Sequence, residues 1–280
     1  MWVTIPTTSI GGRTVSRLVC GSNPFLGFSH FSAARDRWLQ RYFDVARIVE
    51  VLAAASEMGV NGLVGPADER LHQALRRHYA ETGREIVWIS TTYGHVDLEG
   101  QEREVRQLAQ WGAPICLIHA SYTDTHLRTA DNTIEGMEDL LGLARSLGMA
   151  PGVSTHRPDA LRACDAAGYD VECYILPLNV IGFLSNVETN WVAKIIRGAA
   201  KPVVCIKPLA AGRLMPFEGL NFVYHSIKPT DTVAVGMLSP EEAREDAAIA
   251  AEILAGVEAS ASGTGLSTSP SKSTVGGGAD

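Results

Sequence analysis

Short apolar runs alternate along the chain with longer segments whose apolar residues recur three and four positions apart. The runs are Leu18-Val19-Cys20, Gly62-Leu63-Val64, Ile86-Val87-Trp88-Ile89 and Ile115-Cys116-Leu117-Ile118. They continue with Gly152-Val153, Cys173-Tyr174-Ile175-Leu176, Val203-Val204-Cys205-Ile206 and Val233-Ala234-Val235. Being apolar at successive positions, they predict parallel strands buried on both faces. Between them, Val45, Ile48, Val49, Leu52 and Ala55 mark one buried helical face. Leu71, Ala74, Leu75 and His78 mark another, as do Val105, Leu108 and Ala109. Asn132 with Glu135, and Ser239 with Glu242, have the spacing of helix-starting capping boxes, the second with Pro240 at the first helical position. Gly59, Gly83, Gly112, Gly148 and Gly168 stand where helices are expected to stop. Eight strand–helix units predict a (β/α)8 TIM barrel, with a doubly wound sheet as the alternative.

Two stretches interrupt the rhythm. Residues 24–43 form a long, aromatic-rich connection after the first strand, and residues 208–232 a second one after the seventh. In a barrel both lie at the C-terminal face of the strands, where substrates bind. From 258 to 280 the chain is rich in Ser, Gly and Thr and almost free of apolar residues, which predicts a disordered tail. The expected organisation is one barrel over 1–257 followed by that tail. Gly11-Gly12 marks a tight turn in an N-terminal β-hairpin.

Composition narrows the class. The 280 residues are 46% hydrophobic and 20% charged, which suits a globular domain. A net charge of −7 with scattered Lys and Arg argues against nucleic-acid and membrane surfaces as partners. No apolar run approaches the roughly 18 residues that span a bilayer, and the N-terminus lacks a signal-peptide pattern. The expected location is therefore cytoplasmic. Five cysteines without C-x-x-C spacing argue against a disulfide framework or a zinc ribbon. Four of them, Cys20, Cys116, Cys173 and Cys205, sit in the strand runs as small hydrophobes.

Candidate chemistry collects at the strand ends. His95, His119 and His156 follow three successive strands, so their imidazoles can converge at the barrel mouth. Three readings stay open: a divalent metal site, with Asp124 or Glu188 as a further ligand; acid–base catalysis without metal; or structural hydrogen bonding. Lys207 ends an apolar strand before Pro208, and an inward amine there is desolvated and suited to proton transfer, oxyanion binding or Schiff-base formation. Asn23, Asn179 and Tyr93 offer polar contacts to a substrate. Phe25, Phe28, His30, Phe31 and Trp38 read either as a lid over a sugar-like or planar ligand or as a packed loop. His72 and His78 lie on a helix as surface or packing residues.

The chain resembles the aldo-keto reductase superfamily across roughly residues 3–256. Residues 11–21 resemble its N-terminal hairpin and first strand, Leu117-Ile118-His119 its fourth strand and Gly152-Val153-Ser154 its fifth. Pro177-Leu178-Asn179, the stretch Pro208 to Leu214, and Val235-Gly236 followed by Ser239-Pro240-Glu241-Glu242 resemble the sixth strand, the seventh-strand motif and the last strand and helix. The resemblance implies a barrel that reduces carbonyls with a nicotinamide cofactor, through a Tyr acid supported by Asp, Lys and His. Here only His119 fills its place. The Asp position reads Val64, the Lys position Thr92, and the segment Pro66-Ala67-Asp68-Glu69 lacks the Tyr. Of the nicotinamide contacts Ser154 remains, while Ile175 and Ile206 replace the amide-binding and ring-stacking residues and Thr155 replaces Asn.

These departures lead to an expectation of non-redox acid–base chemistry, an isomerase or lyase acting on a small polar carbonyl or sugar-like compound. His119, Lys207, His156 and His95 are its expected catalytic groups. Two alternatives stand beside it. One is a divergent NAD(P)H-dependent reductase with a recruited proton donor such as Tyr93 or His119, for which NADP is the cofactor and Ser154 a cofactor contact. The other is a catalytically silent barrel that binds a ligand or partner. Sequence patterning does not set an oligomeric state.

Overall fold

The computed structural model describes residues 5–261. A hairpin of β1 (Thr7–Ile10) and β2 (Arg13–Ser16) leads into β3 (Leu18–Gly21), α1 (Asn23–Leu26), α2 (Ala33–Tyr42) and α3 (Val45–Glu57). Then come β4 (Gly62–Pro66), α4 (Glu69–Thr82), β5 (Val87–Thr91), α5 (Leu98–Gln110), β6 (Ile115–Ile118) and α6 (Ala120–His126). A two-residue hairpin, β7 (Leu127–Arg128) and β8 (Thr133–Ile134), precedes α7 (Met137–Ser146), β9 (Ala150–Ser154) and α8 (Pro158–Ala167). The chain ends with β10 (Cys173–Pro177), α9 (Thr189–Gly198), β11 (Val203–Ile206), α10 (Pro216–Ser226), β12 (Thr232–Gly236) and α11 (Pro240–Ala261).

Eight parallel strands close into a barrel in the order β10-β11-β12-β3-β4-β5-β6-β9. All eight apolar runs are barrel strands, and the doubly wound alternative falls away because β12 pairs with β3, Val235 opposite Cys20. The barrel interior is a separate apolar cluster that includes Val19, Ile89, Leu117, Ile175, Val204 and Ala234, with Val64 and Ile206 partly exposed beside it. Ile10 and Val15 of the hairpin belong to the same cluster and plug its N-terminal end. The hairpin turn needs glycine: Gly11 has φ +54°, and a Cβ there would lie 2.4 Å from the Ala150 Cβ.

Outside the barrel, helices pack their apolar stripes on the strands as expected. Aspartates start three of them: Asp44 accepts from the Arg47 N–H, Asp68 from Arg70 and Asp97 from Gly100. Gly83 and Gly168 end α4 and α8 in left-handed backbone. At the last helix, Ser239 Oγ accepts from the Glu242 N–H while the Glu242 carboxylate accepts from the Leu238 N–H, the expected reciprocal cap. The Asn132–Glu135 cap is not formed. Asn132 takes φ +56° inside the β7–β8 hairpin, and the helix begins later, after Gly136. Helix α11 runs past the expected boundary at 258 to Ala261, and the rest of the tail lies outside the described residues.

All five cysteines are free and buried, and burial pushes the thiols of Cys20, Cys116, Cys164 and Cys173 up to about 12, so they behave as small hydrophobes. His78 is fully buried, with Nε2 3.1 Å from Ser56 Oγ, and His72 stacks on Trp111 at 5.0 Å. No described helix is long and apolar enough to cross a membrane.

Candidate active site

Strand alternation decides which side chains reach the mouth. On β6, Ile115 and Leu117 belong to the interior cluster, so the next residue of the same parity is His119. Its main-chain N–H donates to Thr92 Oγ1 at 2.8 Å, and the Thr92 hydroxyl in turn donates to Gln101 Oε1. Thr92, at the position where the resemblance places a lysine, is a fully buried anchor for His119. The His119 ring is fixed as well. Its Nδ1 accepts from the Ser121 main-chain N–H at 3.1 Å, with Ser121 Oγ at 2.9 Å. A main-chain N–H can only donate, so Nδ1 is unprotonated and the neutral ring carries its proton on Nε2. Burial, helped by the charges of His156 and Lys207, lowers the His119 pKa to about 4.

His156 follows β9. Its main-chain N–H donates to Asp124 Oδ2 at 3.1 Å, and its Nδ1 lies 3.5 Å from the same oxygen. Asp124 also accepts from the Thr155 hydroxyl, so this α6 carboxylate holds both residues that leave the strand. Ser154, of inward parity and buried, makes no hydrogen bond with its hydroxyl among the described residues.

Lys207 is turned by its backbone. Ile206 takes the inward position on β11, so plain alternation would send Lys207 toward the helices. Lys207 instead adopts φ +61°, which breaks the alternation. Its charge then acts on both His119 and His30. Burial alone lowers its pKa to about 8, and no carboxylate or carbonyl among the described residues pairs with it. The other described lysines differ: Lys228 pairs with Asp231 at 2.9 Å, Lys201 with Glu172 at 3.7 Å, and Lys194 stands exposed on α9.

Several expected site residues go elsewhere. His95 is drawn away by α5, with Nε2 3.3 Å from Glu104 and Nδ1 3.9 Å from Asp97, so three histidines do not converge. Among the described residues no group of three or more His, Cys, Asp and Glu is placed to hold a metal ion. Glu188, offered as a further ligand, lines a surface cleft of about 400 Å³ with Val180, Ile181 and Phe222, and no histidine lines that cleft. Phe25 is not in a lid; it is fully buried against Phe43 at 5.0 Å. Trp38 lies half exposed on α2, stacked on Tyr42 at 4.8 Å. Asn179 spends its amide on the Phe183 main chain, accepting at 2.7 Å and donating at 3.0 Å, which leaves little of it for a substrate. Asn23 directs its amide at the His30 ring, with Nδ2 3.5 Å from His30 Nε2. Tyr93 is a poor proton donor: burial and the charge of Asp68 raise its pKa above the ordinary phenol value.

Sequence reasoning missed the two residues that set up the site, Ser121 and Thr92. The signal for Ser121 was its place two residues after His119 at the start of a helix, where a free main-chain N–H is guaranteed.

The resemblance implies a nicotinamide cofactor, and a few features of the mouth bear on whether its ring could be held there. Ser154 offers an accessible hydroxyl with no internal partner, suited to a carboxamide, and Val64 with Ile206 offers a partly exposed apolar surface beside it. The start of α11 is less open to a phosphate, because the Glu242 carboxylate already takes the Leu238 N–H.

No family model and no curated protein matches the chain. Solved structures do. A protein from Pseudomonas aeruginosa described as an aldo-keto reductase is 19% identical, with a TM-score of 0.64 over 89% of this chain and 94% of its own. A glycerol dehydrogenase from Gluconobacter oxydans is 14% identical, with a TM-score of 0.61 over 89% and 95%. An aldo/keto reductase from Klebsiella pneumoniae, solved with NADP and acetate, is 17% identical, with a TM-score of 0.55 over 90% and 94%. The fold is that of the aldo-keto reductases. These neighbours are named for redox reactions, which overturns the expectation of a non-redox isomerase or lyase. The departures at Val64, Ile175 and Ile206 remove contacts without supplying a different chemistry.

Proposed function

We propose that the protein is a nicotinamide-dependent oxidoreductase acting on a small polar carbonyl compound, with a proton relay rebuilt around His119 and Lys207. The observation that carries this reading is the Ser121 N–H on His119 Nδ1, which leaves a neutral imidazole with its Nε2–H free at the mouth. The bound cofactor would supply the hydride, its ring held by Ser154 and resting on Val64 and Ile206.

The protein's own residues handle the oxygen. His119 Nε2–H donates a hydrogen bond to the substrate carbonyl and polarises it without itself giving up a proton. Lys207, with a pKa of about 8, is mostly an ammonium at neutral pH and is close to the ideal strength for a general acid. It delivers its proton to the oxygen as negative charge develops there. His156, held by Asp124, and Asn23 stand at the rim to bind hydroxyl groups of a polar substrate. Neither Tyr93 nor His95 takes part in this scheme.

Consumption of NADPH and NADH over a panel of small aldehydes, ketones and sugars tests the reading, with dinucleotide binding followed by fluorescence quenching. Saturable dinucleotide binding, with turnover that collapses in His119→Ala and Lys207→Met, supports it. A protein that binds neither dinucleotide overturns it.

A further inference from the structure

Phe183, in the loop between β10 and α9, is the centre of an arrangement drawn from three loops. Asn179 holds its main chain by two hydrogen bonds, of 2.7 and 3.0 Å. The Arg213 guanidinium lies over the Phe183 ring, 4.4 Å from the centroid. The His30 ring meets the same ring edge-on at 6.4 Å. Arg213 donates to the Ala210 carbonyl at 3.0 Å and has no carboxylate partner among the described residues. Lys207 and Arg213 both act on His30 as positive charges.

The nearby carboxylates are hydrogen-bonded elsewhere, although Asp36 still acts on His30 as a negative charge. Asp36 accepts from the Ser29 N–H at 2.9 Å and from its hydroxyl at 2.5 Å. Asp124 is taken by Thr155 and His156. In a chain of net charge −7, Arg213 and Lys207 are two positive charges at the mouth that form no ion pair among the described residues.

We infer that Arg213 and His30, both packed against Phe183, form an oxyanion subsite, so that the carbonyl compound handled at the mouth carries a carboxylate or phosphate group. This rests on the reductase reading only for the word substrate; the subsite itself is read from the side chains. Arg213 presents a planar pair of donors to the anion, His30 adds a ring N–H, and the charge of Lys207 acts on His30 from the same mouth.

Calorimetry with succinate, inorganic phosphate and neutral succinamide on the full chain tests this without any need for turnover. Succinate or phosphate is expected to bind and succinamide not. Arg213→Met is expected to weaken anion binding roughly ten-fold, and Arg213→Lys to recover part of the loss. Tighter succinate assigns the group as a carboxylate and tighter phosphate as a phosphate ester. Equal binding of succinate and succinamide, or no change in Arg213→Met, overturns the subsite. Repeating the titration with saturating NADP separates the two sources of anion. Retained binding supports a substrate subsite, whereas loss of the anion, with weaker NADP binding in Arg213→Met, overturns it by assigning the wall to the cofactor's phosphates. Should the protein bind no dinucleotide at all, the charged-against-neutral comparison still decides the subsite.

Discussion

The main-chain N–H of Ser121 points at Nδ1 of His119 from 3.1 Å and thereby dictates which nitrogen of the ring can donate. The same relationship explains how a histidine whose pKa has fallen to about 4 remains useful: it works as a neutral donor throughout the physiological range.

Replacing His119 by Ala removes that donor. Loss of one oxyanion donor costs on the order of 100-fold in kcat, so reductase activity in His119→Ala should fall by about that factor with KM changed much less. Because the wild-type ring is neutral well above pH 4, its activity should show no rising limb between pH 6 and 8 that disappears in the variant. Steady-state kinetics over that range checks both statements.

Lys207 predicts the other limb. Its ammonium is the acid, so kcat should decline as pH rises through about 8. Arginine keeps the charge but not the titration, so Lys207→Arg should lose most of the rate together with the decline near pH 8. Stability should move the opposite way. The folded pKa lies below the ordinary 10.5, so between pH 8 and 10.5 the unfolded chain binds the extra proton and stability rises with pH. At pH 7 the buried ammonium destabilises the fold, and Lys207→Met should be more stable by about 2 kcal/mol in urea denaturation. A less stable variant would mean that the ammonium is held by favourable contacts.

The barrel was legible because its strands are apolar on both faces, a pattern that solvent-facing segments do not share. The site was legible only in part. His119 follows the strand's own alternation, so its position could be read from Leu117. Lys207 could not be read this way, since its direction depends on a left-handed backbone at a non-glycine residue. His95 stands at a strand end like His119, but Glu104, nine residues further on in α5, captures it, and no strand-end pattern reveals that. Phe25 looked like part of a lid because 24–43 looked like a loop. It folds into α1 and α2, and the first of these buries the ring.

Asp246 on α11 makes a prediction about the scaffold. It is almost fully buried, accepts no hydrogen bond among the described residues, and its pKa is raised to about 7 by burial and by the charges of Glu242 and Glu245. The folded protein therefore binds a proton that the unfolded chain releases near 3.8, and stability is lost as pH climbs from about 4 to 7. Asp246→Asn should stabilise the protein by about 2 kcal/mol at pH 8 and by nothing near pH 4. Denaturation midpoints at the two pH values test this, and a gain that does not depend on pH would rule out ionisation as its cause.

Asn179 provides the test of how the mouth is held together. Its amide contacts the Phe183 main chain twice, and Phe183 carries both Arg213 and His30, so the loop's shape hangs on one side chain. Aspartate at 179 keeps the acceptor for the Phe183 N–H but loses the donor to its carbonyl. Alanine loses both and leaves two half-buried main-chain groups without these partners, at a cost of about 1 kcal/mol. Asn179→Ala should therefore lower thermal stability, while KM for the preferred substrate rises more than kcat falls, because the disturbed wall binds rather than reacts. Asn179→Asp should lie between wild type and Ala in both measures. If Asn179 contacted substrate directly, Asn179→Ala would raise KM at unchanged stability, so measuring melting and kinetics on the same two variants separates positioning from contact.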